Sequence, residues 1–489
     1  VGTVSGPPGP PPSHRPPPPP APETGSALPV PAGFRLVLDP EARRLDGGSV
    51  LVGGSPLTVL RLAPAGARLV ADLAGGAPVP ATPAANRLAR RLLDRGLAHP
   101  RPPADAVPPP VTIVIPVRND AAGLAATLAH LGPVGEVVVV DDGSTDPAPV
   151  RAATGGRARV LRLDASHGPA AARNVGWRAS TGDVVAFVDA GCQPQAGWLD
   201  VLLPHLADPA VAAAAPRIVP LAPPGTPAWL AAYEERRSPL DLGPAEAAAR
   251  PRSRVPYVPT AALVVRRAAL ALIEGFDPAL RVGEDVDLVW RLAAAGWTVR
   301  YDPAAMVGHP VRPRLGALLR QRFDYGTSAA PLAARHGTAA APLTTSPWSA
   351  AVWGLVAAGH PVLGAAAAAT TAATLAPRLS GLRHPRIEAA RLAGRGHLHA
   401  GRMTAAACRR SWWPLVALAA VASPRARRAA LVLAVIPPLL ERRRPAAELS
   451  PPTWLALRLA DDVAYGTGVW AGAARARSLA ALRPVLGWR

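Results

Sequence analysis

Four short apolar runs alternate with helical stretches through the middle of the chain. Residues 111–115 (VTIVI), 137–140 (VVVV), 160–163 (VLRL) and 184–188 (VVAFV) are rich in β-branched positions. Between them, Leu124, Leu128 and Leu131 recur on one helix face, and residues 170–180 read as another helix. Runs that are apolar throughout, rather than alternating, are those of a parallel sheet covered on both faces by helices. The pattern predicts an α/β unit over residues 111–345.

The flanks differ in kind. Residues 1–32 hold 13 prolines and almost no large apolar side chains. They bury too little surface to offset their ordering entropy and are expected to be disordered. They lack the apolar core and flanks of a signal peptide. Residues 33–100 predict a small winged-helix-like module. Its strand-like runs at 34–38, 50–52 and 58–62 surround an Asp-Gly-Gly turn at 46–48, and helical stretches follow at 67–73 and 88–93. Residues 101–110 read as a proline-rich linker. After 345 the chain turns Ala/Leu/Val/Trp-rich, and residues 348–376 carry no charge over 29 positions. About 20 apolar residues suffice to span a bilayer. With shorter apolar runs at 411–423 and 429–440, residues 346–489 predict a helical, membrane-associated region, placing the protein at the cell membrane with its catalytic unit on the cytoplasmic side.

Composition narrows the chemistry. In 489 residues, Lys plus Arg number 53 against 33 Asp plus Glu, a net charge of +20, and every basic residue is Arg. Without lysine there is no Walker-type phosphate loop and no Schiff-base or lysine nucleophile. Two cysteines are too few for a disulfide framework or a cysteine-rich zinc site, and Cys192 reads as a buried structural thiol. The carboxyl-terminal arginines flank apolar runs rather than alternating with stacking aromatics. That argues against nucleic acid and for an anionic membrane leaflet as the partner.

In an open parallel sheet, ligands bind beyond the carboxyl ends of the strands. Those ends are polar here: Pro116-Val117-Arg118-Asn119-Asp120 after the first run, Asp141-Asp142-Gly143-Ser144 after the second, and Asp189-Ala190-Gly191-Cys192 after the fourth. The glycine fingerprint of a dinucleotide site is missing after the first strand. Converging carboxylates can hold a base, a ribose diol, or a divalent metal that neutralises a diphosphate. Glu284-Asp285-Val286-Asp287 opens a further helix. There, capping and dipole effects compete with catalysis as the reason for acidic residues.

These motifs, together with Gly168-Pro169-Ala170-Ala171-Ala172-Arg173-Asn174, Gly275-Phe276-Asp277 and Gly283-Glu284-Asp285-Val286-Asp287-Leu288-Val289-Trp290-Arg291, occur in the order seen in the family-two glycosyltransferases, which the chain resembles. The resemblance implies a GT-A fold and an inverting transferase using a nucleotide sugar. It implies that Pro116, Asp141, Asp142 and Arg173 lie around the nucleoside and that Asp189 binds the metal–diphosphate. Asp285 would be the general base, with Glu284 and Trp290 in the acceptor region. It also implies a divalent cation, Mn²⁺ or Mg²⁺. However, the usual second carboxylate after the fourth strand is Gly191, which leaves Asp189 and His309 as the candidate metal ligands.

The wider layout of the chain is similar to the glycosyltransferases of mycofactocin systems: Leu51-Val52-Gly53-Gly54-Ser55-Pro56, His99-Pro100-Arg101-Pro102-Pro103, Tyr325-Gly326-Thr327-Ser328, and Asp461-Asp462-Val463-Ala464-Tyr465-Gly466. That likeness implies transfer of glucose, from UDP-glucose, onto a peptide-derived redox cofactor precursor as a β-1,4-linked chain. The amino-terminal module would then be a peptide-recognition unit. The competing readings are a membrane synthase of lipid-linked or envelope polysaccharide and a catalytically inactive scaffold.

Overall fold

The computed structural model describes residues 28–103, 108–442 and 449–487. Most of the proline-rich opening, residues 1–27, and positions 104–107 of the expected linker lie outside the described residues. Residues 28–32 are already part of the amino-terminal module: Val30 is buried in its core, and the Leu28 and Pro29 carbonyls accept from Arg90.

That module contains β1 (Arg35–Leu38), β2 (Arg43–Leu45), β3 (Val50–Gly53), β4 (Thr58–Arg61), α1 (Pro64–Ala74), α2 (Pro83–Asp94) and β5 (Ala98–Arg101). Strands β2, β3 and β4 form an antiparallel sheet, and β1 pairs antiparallel with β5. Helix α2 starts where its sequence says it should: Thr82 accepts from the Ala85 amide and Pro83 follows at the first turn. Phe34, Leu36, Leu51, Leu73 and Leu92 fill the core.

The central unit runs through β6 (Val111–Val117), α3 (Ala121–His130), β7 (Glu136–Asp142), α4 (Ala148–Thr154), β8 (Arg159–Leu163), α5 (Pro169–Ala179), β9 (Val184–Val188), β10 (Gln193–Pro194), α6 (Trp198–Leu202), β11 (Val211–Leu221), α7 (Ala228–Arg237), β12 (Ala247–Ala249), β13 (Ala262–Arg266), α8 (Arg267–Leu272), α9 (Glu284–Ala294), β14 (Thr298–Pro310), α10 (Leu315–Thr327) and α11 (Ala329–His336). Its nine-stranded sheet has the order β10-β14-β11-β13-β9-β6-β7-β8, with β12 against β14. The valine-rich runs give the parallel half, β8-β7-β6-β9. Antiparallel β13 then joins it to β11 and β14, which makes the whole sheet mixed. Val138, Val139, Val140 and Phe187 have no exposed surface, because helices cover both faces.

The module is held to this unit by ion pairs, one of them fully buried. Arg90 forks onto Asp208 at 2.9 and 3.0 Å with both side chains buried, and Arg101 forks onto Glu246 at 2.6 and 2.8 Å. Asp39 receives both His99, at 2.9 Å, and Arg254, at 2.5 Å. Removing one member of the buried Arg90–Asp208 pair typically costs about 3–5 kcal/mol.

After β15 (Thr344–Thr345) the chain is helical: α12 (Pro347–Ala357), α13 (Pro361–Leu375), α14 (Pro385–Arg410), α15 (Trp413–Ala422), α16 (Pro424–Glu441) and α17 (Pro451–Arg475), closing with β16 (Val485–Leu486) beside β15. The uncharged stretch expected to cross a membrane is two helices, α12 and α13. The chain reverses between them at Gly359, whose φ is 88°, and Pro361 starts the second. Among the described residues no helix is long and apolar enough to cross a membrane. The expected cell-membrane location is therefore overturned. One arginine read as a leaflet contact serves the protein interior instead: buried Arg409 bonds Asp462 and Glu441.

Helix α17 lies across α10 at glycine-only spacing. A Cβ on Gly468 would collide with the Phe323 carbonyl, and one on Gly326 with the Tyr465 carbonyl. Exposed Gly394, inside α14, has nothing within 4 Å of its missing Cβ. Gly468→Ala is expected to destabilise the protein by about 1–3 kcal/mol through overpacking. Gly394→Ala should stabilise it by about 0.5–1 kcal/mol by restricting the unfolded chain. Denaturant unfolding of both variants, compared with the parent, checks the opposite signs.

Candidate active site

Helix α5 begins at Gly168-Pro169, and its fifth residue, Arg173, points under the end of the sheet. Its guanidinium is buried. One nitrogen donates to Asp189 Oδ1 at 2.6 Å and another to Glu284 Oε1 at 2.9 Å. The Phe276 ring lies beneath it, with 5.6 Å to the centroid, and is itself braced edge-on by Phe187. Burial alone would lower the Arg173 pKa, but Asp189 and Glu284 outweigh it and hold the group firmly charged. Next along α5, Asn174 accepts from the Phe276 amide and donates to its carbonyl. The turn before Phe276 needs glycine: Gly275 has φ 74°, and a Cβ there would strike Asn174 and Trp177.

Gly283, at φ 81°, turns the chain into α9, and the acidic residues at its start divide the work. Glu284 faces Arg173. Asp287, fully buried, ties α9 to itself and to α11 through Arg291 at 2.7 Å and His336 at 2.9 Å. Asp285 turns into a cavity of about 630 Å³, half-buried and without an ion pair among the described residues. Its Oδ1 accepts from the Val286 amide, at 2.8 Å. Burial, reinforced by the negative charge of Glu284, pushes its pKa up to about 7. The helix start shelters Asp285, whose carboxylate takes a first-turn amide while its side chain lines the cavity. Trp290, one face further along, donates to the Pro256 carbonyl at 2.8 Å and walls the cavity.

Arg173, Asp189, Glu284, Asp285, Trp290 and His309 thus share one cavity. Pro116, Asp141 and Asp142 lie at the ends of β6 and β7, and none of them lines it. Asp141 pairs with Arg162 at 2.5 Å and accepts from the Ser144 amide. Both oxygens of Asp142 are taken by the Ser166 hydroxyl and the His167 and Gly168 amides, so this carboxylate shapes the loop that enters α5.

As for a metal, Asp189 gives one oxygen to Arg173, while its other makes no hydrogen bond among the described residues. His309, near the end of β14, lies close enough for Asp189 to act on its titration, and burial lowers its pKa and leaves it neutral. A carboxylate and a neutral imidazole are a chemically sensible donor pair for a divalent cation. Among the described residues, no group of three or more His, Cys, Asp or Glu forms a full cage. Gly191, in the place of the expected second carboxylate, has φ 91°. Its amide donates to Thr127 Oγ1 at 2.9 Å, and a Cβ would sit 3.1 Å from Pro310. A side chain at 191 would be strained, so the missing ligand reflects the path of the backbone.

The cavity wall also holds residues that sequence reasoning did not assign: Tyr257, Arg281, Tyr325, Arg410, Arg458 and Tyr465. Three of them come from the carboxyl-terminal helices, where the Arg410 guanidinium lies 4.0 Å over the Tyr465 ring. The available signal was Asp461-Asp462 inside a largely apolar helix. Acids in such a place need buried partners, and here they find Tyr233, Arg322, Arg409 and Arg458.

The glycosyl transferase family 2 profile matches residues 112–270. Over 471 residues the chain is 42% identical to the pre-mycofactocin glycosyltransferase of Mycobacterium tuberculosis, in two strains, covering 94% of this chain and 99% of that protein. It is 29% identical over 228 residues to glycosyltransferase AglE of Haloferax volcanii, covering 45% and 72% of the two chains. Among solved structures, the mannosyltransferase PcManGT from Pyrobaculum calidifontis, in complex with GDP-Man and Mn²⁺, shares 21% identity and covers 61% of this chain and 87% of its own. At a TM-score of 0.37 the superposition is too loose to transfer a substrate or a metal.

Arg173→Gln should destabilise the protein by about 3–5 kcal/mol, because Asp189 and Glu284 then lose their shared cation. Adding Glu284→Gln should recover at least about 0.5 kcal/mol of that loss, since the two residues are in contact. Chemical denaturation of the singles and the double measures the coupling, and strict additivity would mean that the pair is not one unit.

Proposed function

Because the chain belongs to the family of pre-mycofactocin glycosyltransferases, and its central unit has the GT-A fold of a nucleotide-sugar transferase, we propose that it moves glucose from UDP-glucose to the peptide-derived redox cofactor precursor pre-mycofactocin. Transfer proceeds with inversion and builds a β-1,4-linked oligoglucose chain. The observation that carries this reading is Asp285: an acid in the cavity wall with no ion pair among the described residues and a pKa of about 7. A general base works best when its pKa lies near the operating pH.

In this reading Asp285 takes the proton of the acceptor hydroxyl. The hydroxyl oxygen forms its bond to the anomeric carbon as the bond from that carbon to the diphosphate oxygen breaks, and UDP leaves from the opposite face. An α-linked donor therefore gives a β-linked product. Asp189 and His309 would hold a Mn²⁺ or Mg²⁺ ion, which when bound supplies positive charge to the diphosphate. Arg173 has no spare charge for that task, since Asp189 and Glu284 already share it. Its part is to keep both acids in place. Pro116, Asp141 and Asp142 frame the nucleoside end, Asp142 by fixing the 166–168 loop. Tyr257 and Trp290 wall the acceptor end beside Asp285.

The amino-terminal module acts here as a peptide-recognition unit. Its ion pairs with the transferase, the buried Arg90–Asp208 above all, support a fixed delivery position, and attachment raises the effective concentration of a bound acceptor. Those same pairs make deletion of the module a poor test, because it would strand Asp208 and Glu246. A retained base in an open cavity speaks against an inactive scaffold, and the lack of a spanning helix among the described residues removes the main support for a membrane synthase.

The test is purified full-length protein with UDP-glucose and pre-mycofactocin, with products resolved by mass spectrometry and linkage read by NMR. Successive hexose additions with β anomers are expected. Asp285→Asn should lower turnover by about 10²–10⁴-fold with UDP affinity retained. Near-normal turnover of that variant would remove Asp285 from the reaction.

A further inference from the structure

One arginine on the active-site cavity differs from the others. Arg173, Arg236, Arg237, Arg322, Arg410 and Arg458 line that cavity, and each is paired with an acid. Arg281 lines it too, but has neither a hydrogen bond nor an ion pair among the described residues. The acids that could have taken it are engaged elsewhere: Asp241 with Arg217, Asp461 with Arg322, and Asp189 and Glu284 with Arg173. Asp285, four residues on, is also without an ion pair. The two opposite charges thus share a cavity without neutralising each other.

The backbone beneath Arg281 is held on both sides. Upstream, the Asp277 side chain takes Arg335, its carbonyl accepts from the Leu280 amide at 3.1 Å, and the Leu280 side chain is buried. Downstream, Gly283 turns at φ 81° against Ser328 and Leu332, where a Cβ would come within 2.9 Å of Ser328. The Arg281 side chain itself is exposed. Packing and pairing within the fold do not account for it. What it brings to the cavity is an unshared positive charge and five donors in a planar fork, the shape that matches two phosphate oxygens.

In the reaction assigned above, the acceptor hydroxyl is neutral and the fixed negative charge sits on the diphosphate of the donor. That charge grows on the leaving oxygen as the bond to the sugar breaks. The other cavity arginines are already committed to acids, and Gly191 stands where a second metal-side carboxylate is expected. We propose that Arg281 binds the diphosphate of the nucleotide sugar, forking onto its oxygens and sharing the charge of the leaving UDP. This contact rests on the reading of UDP-glucose as the donor and adds a residue that the strand-end motifs do not contain.

Full-length parent and Arg281→Gln, at one fixed Mn²⁺ concentration, are titrated with UDP by isothermal calorimetry and with uridine by ligand-observed NMR. The variant is expected to bind UDP at least tenfold more weakly, the effect of losing a charged hydrogen bond, and to bind uridine as the parent does. Denaturant unfolding should be the same in both proteins, because the side chain makes no bond within the fold. Unchanged UDP affinity in the variant would overturn the contact and leave the donor reading standing, as would an equal loss for UDP and uridine. An acid limb of the pH–rate profile that moves to higher pH in the variant would also overturn it, since the guanidinium would then be serving Asp285. A parent that binds no UDP would overturn the donor reading, and this contact with it.

Discussion

The buried guanidinium of Arg173 is the constraint around which the active site is arranged. A cation out of water must find negative partners, and Arg173 takes two from distant parts of the chain: Asp189 after β9 and Glu284 at the head of α9. That bridge fixes the end of the parallel sheet against the helix that carries Asp285. With Arg173 satisfied by its two acids, the next residue along α9 is left without an ion pair among the described residues. The neighbouring Glu284 charge and the enclosing cavity then raise its pKa. The structural pair and the proposed general base are thus parts of one electrostatic arrangement.

The same logic extends outward. A chain whose basic residues are all arginine can fork them onto carboxylates, and it does so at several contacts between its units. Arg90, Arg101 and Arg254 lock the module to the transferase, Arg43 reaches Glu388 on α14, and Arg409 and Arg458 gather Glu441 and Asp462 under the last helices. The carboxyl-terminal helices become a wall of the active-site cavity. Some of the arginines that suggested a lipid surface are instead paired with acids inside the protein, as Arg409 is with Asp462.

The parallel half of the sheet was legible because its strands are continuous apolar runs, and the strand-end acids followed from that reading. Which of those acids face the cavity was not legible. Asp141 and Asp142 look equivalent to Asp189 in sequence, yet Arg162 and the 166–168 loop consume them. The uncharged 348–376 stretch was misread because composition does not reveal that Gly359 reverses the chain there. Tyr257, Arg410 and Tyr465 went unassigned because their place depends on how α14 and α17 pack back over the sheet, a long-range contact with no local pattern.

The most direct measurement is the pH profile of kcat/KM for sugar transfer in the parent and in Glu284→Gln. Asp285 accepts a proton only when ionised, so parent activity should fall as the pH drops below about 7. Replacing Glu284 by Gln removes a negative neighbour and frees Arg173 to act on Asp285, and both changes lower its pKa. The acid limb should therefore move to lower pH in the variant. An acid limb that stays in place, or a parent profile with none near neutrality, would contradict the account.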